Sequence, residues 1–406
     1  MNAEELVRQA LREQAAEQGP PAPGFADRVL AVRRRHRARR LASAAVGTAA
    51  VLAVAAGVPL LDEGGKHDVR PAGVLNSGDV KAHPDQSPPR DLIAAGRSTL
   101  AAYYTTGIVR RSADRAVGLR TYWLLNPGTG RYEKDTRWSY VAVAPGLRTA
   151  AVLERTLPAA RIGLLDLATR EVERWIPVDR GVGGLAFSSD GRKLVATTYD
   201  DSPDQYEWRV GPKPGTSTWF PRSGVRIRTG FEVVDVASGK GSWAGVSADR
   251  VENSREDFAF SRDGALVFAM IVGGRDGTEQ FYDLRGREAA APANERYLRW
   301  DVGARLSPNG RLAAWGLVRE RHGASYSAIR DPLTGRRLAE ARGAELLAWV
   351  DDKRLIAWER DPGSTSYRPR LVLVTIGSDE AVPLSGVQTQ PAEMSRQPWT
   401  PVFAER

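Results

Sequence analysis

Short apolar runs alternate with polar turns along most of this chain, and the alternation recurs. Phe187-Ser188-Ser189-Asp190-Gly191-Arg192-Lys193-Leu194 is matched by Phe260-Ser261-Arg262-Asp263-Gly264-Ala265-Leu266 and by Leu306-Ser307-Pro308-Asn309-Gly310-Arg311-Leu312. Each copy is an apolar strand, a Ser-x-Asp/Asn-Gly turn and a second apolar strand, which predicts a β-hairpin. Weaker copies surround Gly96, Gly146 and Lys353, and the turns follow one another in steps of about 50, 45, 73, 46 and 43 residues. A period of about 40 to 50 residues suits propeller blades of four strands. One step carries about 25 extra residues.

A second phrase interleaves with the first: a strand ending in Asp or Asn, then a tight turn. It occurs at Asn126, Asp166, Asp235, Asp283 and Asp331, and in looser form at Val372–Gly377. Asp bonds the backbone two residues on, and Gly supplies positive φ. Six copies of each phrase predict six blades. The final run, Trp399 to Ala404, reads as an opening strand without a following repeat. It is expected to share a blade with Asp91–Thr105 and so remove an open edge.

These two phrases resemble the TolB-like, WD-repeat-like β-propeller family of bacteria, over roughly residues 91–406. The resemblance implies an all-β, six-bladed propeller of four-stranded antiparallel blades that acts as a binding scaffold. It implies no single activity.

The N-terminal region follows another pattern. Residues 41–61 are 21 uncharged positions, long enough as a helix to span the ~30 Å hydrocarbon core of a membrane. An Arg-rich run from Arg33 to Arg40 precedes them, and Asp62 and Glu63 follow. The charge bias predicts a single-pass anchor in the cell membrane, with the N-terminus cytoplasmic and the propeller extracytoplasmic. A cleaved signal peptide, with Ala-x-Ala-like sites near Ala53–Ala55, is the alternative, and Arg39-Arg40 also fits twin-arginine export. Residues 1–40 form a short helical segment, either a docking helix for a cytoplasmic partner or a plain leader against anionic lipid. Residues 62–90, dotted with Gly and Pro, read as a flexible linker.

Charge adds little. Nine Arg against five acidic residues in 1–40 leave about +5 of the net +9 for the remainder. No basic stripe with interleaved aromatics occurs, so nucleic acid is not an expected partner. An extracytoplasmic protein or an envelope polymer is.

Candidate chemistry is sparse. With no Cys and four His, of which only His322 falls in the propeller, no cofactor and no metal site is expected. No nucleophile elbow or phosphate loop occurs, so no catalytic residue is assigned and the protein is read as a non-enzyme. A carboxylate pair at the axis, as in a glycosidase, stays open, because residues distant in sequence converge there. Asp190, Asp263 and Asp352 recur with the turns and are read as structural. The long step holds Tyr206, Trp208, Trp219 and Phe220, the candidate binding residues. They serve either to stack on a ligand or to pin the loop to its own blade. A transmembrane regulator is the second functional reading.

Overall fold

The repeated turn closes in the same way each time. Ser188 Oγ donates to Asp190 Oδ1 at 2.6 Å and accepts the Lys193 N–H at 2.9 Å, while Gly191 sits at φ 71°. Ser261, Asp263 and Gly264 repeat this, and so do Ser307, Asn309 and Gly310. The Asp or Asn oxygen also accepts a backbone N–H two residues on, so Oδ1 of Asp190 and of Asp263 is engaged within its own turn. In the last repeat Asp351 takes this part, accepting from Lys353 and Arg354. Asp352, the expected turn residue, instead accepts the Asn309 N–H of the neighbouring turn.

The computed structural model describes residues 79–210, 217–246, 255, 257–270, 278–321, 323–360, 368–389 and 398–406. Every regular element among them is a β-strand, and no helix there is long and apolar enough to cross a membrane. The expected anchor at 41–61, the leader 1–40 and His322 lie outside the described residues. The chain divides into units of residues 1–70 and 71–406, and the described strands all belong to the second.

These strands fall into six antiparallel sets. Blade 1 joins Ser98–Arg110, Arg115–Asn126 and Arg131–Asp135 to the C-terminal strand Thr400–Glu405. Blade 2 holds Trp138–Val143, Thr149–Glu154 and Ala159–Asp166. The 16-residue strand Val172–Phe187 then closes blade 2 and opens blade 3, which continues with Lys193–Tyr199, Arg228–Asp235 and Gly241–Gly245. Blade 4 is Ala259–Phe260, Leu266–Met270, Glu279–Asp283 and Glu288–Ala289. Blade 6 is Glu345–Trp349, Arg354–Arg360, Pro369–Thr375 and Ala381–Pro383.

Blade 5 departs from the expected four strands. Ala313–Arg321, Ala324–Arg330 and Arg337–Arg342 pair fully, but the inner position is reduced to one bridge, Leu306 to Ala313. Arg305 sits at φ 48°, a left-handed conformation that interrupts an extended ladder.

Packing between consecutive sets closes a ring. Tyr122 and Leu124 meet Trp138 and Val152. Ile162 and Ile176 meet Leu194 and Val234. Phe231 meets Phe258 and Val267. Blades 4 and 5 join through Arg305, paired with Glu279 and Glu295. Ile329 meets Leu355 and Val372. Finally Trp358 and Leu371 of blade 6 meet Leu100 and Tyr103 of blade 1. Each blade buries an apolar face only through its neighbours, so the cycle, a β-propeller, is the stable unit.

The closing seam is aromatic. Tyr103 stacks on Trp123 at 5.1 Å and meets Trp399 edge-on at 5.6 Å, and Trp399 packs against Trp358 at 5.0 Å. The expected sharing of a blade by the two ends is present: Thr400 pairs with Tyr104 and Glu405 with Ser98. The packed body reaches further toward the N-terminus than residue 91. Val80–Lys81 pairs with Ala94–Ala95, Asp79 binds Arg354, and the Pro89 carbonyl accepts the Tyr103 hydroxyl. Residues 79–90 therefore belong to the propeller and not to a linker, because their backbone groups are tied into blades 1 and 6.

Candidate functional site

Two hairpins outgrow their blades. In blade 1, Ser98–Arg110 and Arg115–Asn126 run 13 and 12 residues, buried at the base and exposed toward the turn. In blade 3 the long sequence step forms a separate hairpin, Gln205–Val210 with Ser217–Pro221. This second hairpin does not extend its own blade. It pairs with blade 1, Gln205 to Val117 and Glu207 to Arg115, and so bypasses blade 2. Gly118 allows the approach, since a Cβ there would lie 2.9 Å from the Tyr206 ring.

The four residues expected to bind all lie on this bridging hairpin. Tyr206 is half-buried against Gly118. Trp208 and Trp219 are directly opposed and meet edge-on at 5.1 Å. Phe220 faces Glu207 across the pair. Trp208 is 47% exposed. None of the four is among the lining residues of the two cavities described below.

Under the bridge lies an ionic cluster that the sequence reading missed. Asp204, at the hairpin base, is held by two guanidinium groups. Arg120 meets its oxygens at 3.0 and 3.1 Å, and Arg255 meets them at 2.8 and 2.9 Å. Arg255 also donates to Asp257 Oδ2 at 2.7 Å and to the Gly183 carbonyl at 2.8 Å. The Tyr199 hydroxyl donates to the other Asp257 oxygen at 2.8 Å. Gly184 makes room for Asp257, since a Cβ there would stand 2.1 Å from its carboxylate. The guanidinium of Arg120 lies 5.4 and 5.5 Å from the Tyr104 and Tyr140 ring centres, and that of Arg255 lies 5.2 Å from Tyr140.

Burial alone would raise the Asp204 pKa, but Arg255 and Arg120 outweigh it and hold the carboxyl below its ordinary range. Burial pulls both arginines down, and their carboxylate partners more than restore them. All three groups stay charged. Burial pushes the Tyr122 and Tyr140 hydroxyls well above the ordinary phenol value, so both remain protonated.

Arg120, Arg255 and Asp257 form part of the wall of a cavity of about 520 Å³. The inner strands of blades 1, 2 and 3 supply much of the remainder, through Phe403, Tyr140, Phe187 and their neighbours, with Tyr104 and Tyr122 added by the blade 1 hairpin. Its volume lies within the ~300–1,000 Å³ usual for small-ligand sites. A second cavity of about 600 Å³ lies between Thr400–Glu405 and the inner strand of blade 6, beside Glu345, Leu347 and Trp399. No group of three or more His, Cys, Asp or Glu among the described residues is placed to hold a metal.

No family model and no curated protein matches the chain. Solved structures resemble it distantly. Kuenenia stuttgartiensis hydrazine synthase is 12% identical over 63% of this chain, with a TM-score of 0.36. TolB from Acinetobacter baumannii is 14% identical over 70%, with a TM-score of 0.35. The chain spans 66% and 65% of the length of those two. A chain of the mitotic checkpoint complex is 12% identical over 82% of this chain and 98% of its own, with a TM-score of 0.38.

Proposed function

We propose that this protein is a membrane-anchored, extracytoplasmic binding module, with recognition at the end of the propeller axis where the blade 1 and blade 3 hairpins meet. One observation carries the reading. The cavity there is built for contact, and its carboxylates are neutralised. Acid–base hydrolysis needs a carboxyl held protonated beside one held ionised. Asp204 is clamped by two arginines, both oxygens of Asp257 are engaged, and Glu405 binds Arg97. Such a wall positions a ligand without moving a proton. Membrane placement rests on the uncharged run 41–61 and its flanking charges.

The absence of Cys from the chain permits a direct test of placement. Val210 is 78% exposed on the bridging hairpin. With Val210→Cys in the full chain, a membrane-impermeant maleimide is expected to label intact cells. Labelling only after lysis overturns the extracytoplasmic placement.

A further inference from the structure

Three tyrosines gather at the wall of the axial cavity: Tyr104, Tyr122 and Tyr140. The Tyr104 and Tyr122 rings lie 5.2 Å apart, and the Arg120 guanidinium sits against Tyr104 and Tyr140. Their hydroxyls make no hydrogen bond within the described residues, unlike those of Tyr103, Tyr132, Tyr199 and Tyr326. Tyr122 is only 1% exposed. None of the three hydroxyls is among the fully buried polar atoms that lack a partner; each is open to the cavity, free to donate to and accept from what enters it.

Two further features bear on what would satisfy them. The arginines and aspartates of the cluster balance, two against two, and each is already engaged. An anion would have to displace Asp204, and a cation would find Asp204 and Asp257 already paired. Among the described residues the strands Trp138–Val143 and Thr400–Glu405 each pair along one side, so their other edges bring backbone N–H and C=O groups to the same wall. Phe187 and Phe403 add apolar ring surface.

Resting on the binding reading above, we propose that this cavity takes a neutral polyhydroxylated ligand, a short glycan of one or two sugar rings. Sugar hydroxyls donate and accept, as phenol hydroxyls and strand edges do. The C–H face of a pyranose suits an aromatic wall. No net charge is asked of the ligand.

The test uses the full chain in a non-glycosidic detergent and saturation-transfer NMR. Glucose, N-acetylglucosamine, maltose and chitobiose are compared with inorganic phosphate and trialanine amide. At least one sugar is expected to receive transfer. Tyr122→Phe and Tyr140→Phe, which delete only unpartnered hydroxyls, are each expected to weaken its binding about tenfold, roughly one hydrogen bond, with the thermal midpoint unchanged or raised. Transfer to phosphate or to the peptide amide but to no sugar overturns the proposal. So does silence from the whole panel, or sugar binding unaltered in both Phe variants. Chemical conversion of a bound sugar in the same spectra would sink the non-catalytic reading while leaving the ligand class intact.

Discussion

Of the arginine–carboxylate clusters in this propeller, one near blades 1 to 3 and one between blades 4 and 5 solve opposite problems. Near blades 1 to 3, two arginines converge on one carboxylate, Asp204, with Asp257 completing the set. Between blades 4 and 5, one arginine serves two carboxylates. Arg305 meets both Glu279 and Glu295, and lies 3.9 Å from the Phe268 ring centre. The ratio decides the electrostatics. The two guanidiniums that meet Asp204 itself hold it below its ordinary pKa, whereas burial pushes Glu279 above its own despite the pull of Arg305. The same residue types therefore yield a carboxylate that stays ionised in one cluster and one inclined to take a proton in the other. The first binds an insertion over a cavity, and the second seals a seam between blades.

The strand Thr400–Glu405 serves both sides, and its removal is expected to have the largest effect. It lines the first cavity, and Trp399 just before it anchors the seam between blades 6 and 1. Deleting residues 398–406 removes that buried Trp, about 3–5 kcal/mol by itself, and opens an edge on blade 1. A thermal midpoint lower by many degrees is expected. An unchanged midpoint would mean that the ring is not closed by this strand, and the two clusters would then not belong to one closed ring.

Asp204→Asn comes next. It leaves Arg120 and Arg255 buried without their shared charge, and loss of one partner from such a set costs about 3–5 kcal/mol. The depressed pKa fixes the pH dependence. The contribution is present above the ordinary 3.8 and is lost as pH falls through the lower folded value. Urea midpoints from pH 7 down to pH 3 check this, and the gap between wild type and variant should narrow toward acid.

The blades were legible in the sequence because each rests on local rules. The Ser-x-Asp-Gly turn carries its own hydrogen bonds, and Gly191, Gly264 and Gly310 occupy the positive φ that the turn requires. The cavity was not legible, since Tyr104, Tyr140 and Asp257 reach it from strands and connections far apart in sequence. An available signal was Arg120 in the middle of a strand of blade 1, followed by Tyr122-Trp123-Leu124-Leu125, where an unpaired charge would not be tolerated. The long step between repeats, singled out for its length, forms the hairpin that pairs with blade 1. Its aromatic residues drew attention, yet Asp204 at its base makes the buried contacts. Aromatic content marked the insertion, and only tertiary pairing shows how it is fastened.

The smallest effect separates the clusters most sharply. In Glu279→Gln, Arg305 keeps Glu295, and a neutral amide replaces a carboxylate whose ionisation burial already opposes, with Glu295 and Asp301 adding to the opposition. A net change within about 1 kcal/mol at neutral pH is expected, because the lost ion pair and the relieved desolvation offset one another. The slope is the telling part. A raised carboxyl contributes stability that is fully present below its ordinary 4.5 and is lost as pH rises through the folded value. Wild type therefore loses ground to Glu279→Gln between pH 4 and pH 7, and the variant should compare better at pH 7 than at pH 4. For Asp204→Asn the variant compares worst at pH 7. Urea midpoints for both variants at three pH values are enough to test the contrast. If the two differences ran in the same direction with pH, the ratio of arginine to carboxylate would not be what sets the clusters apart.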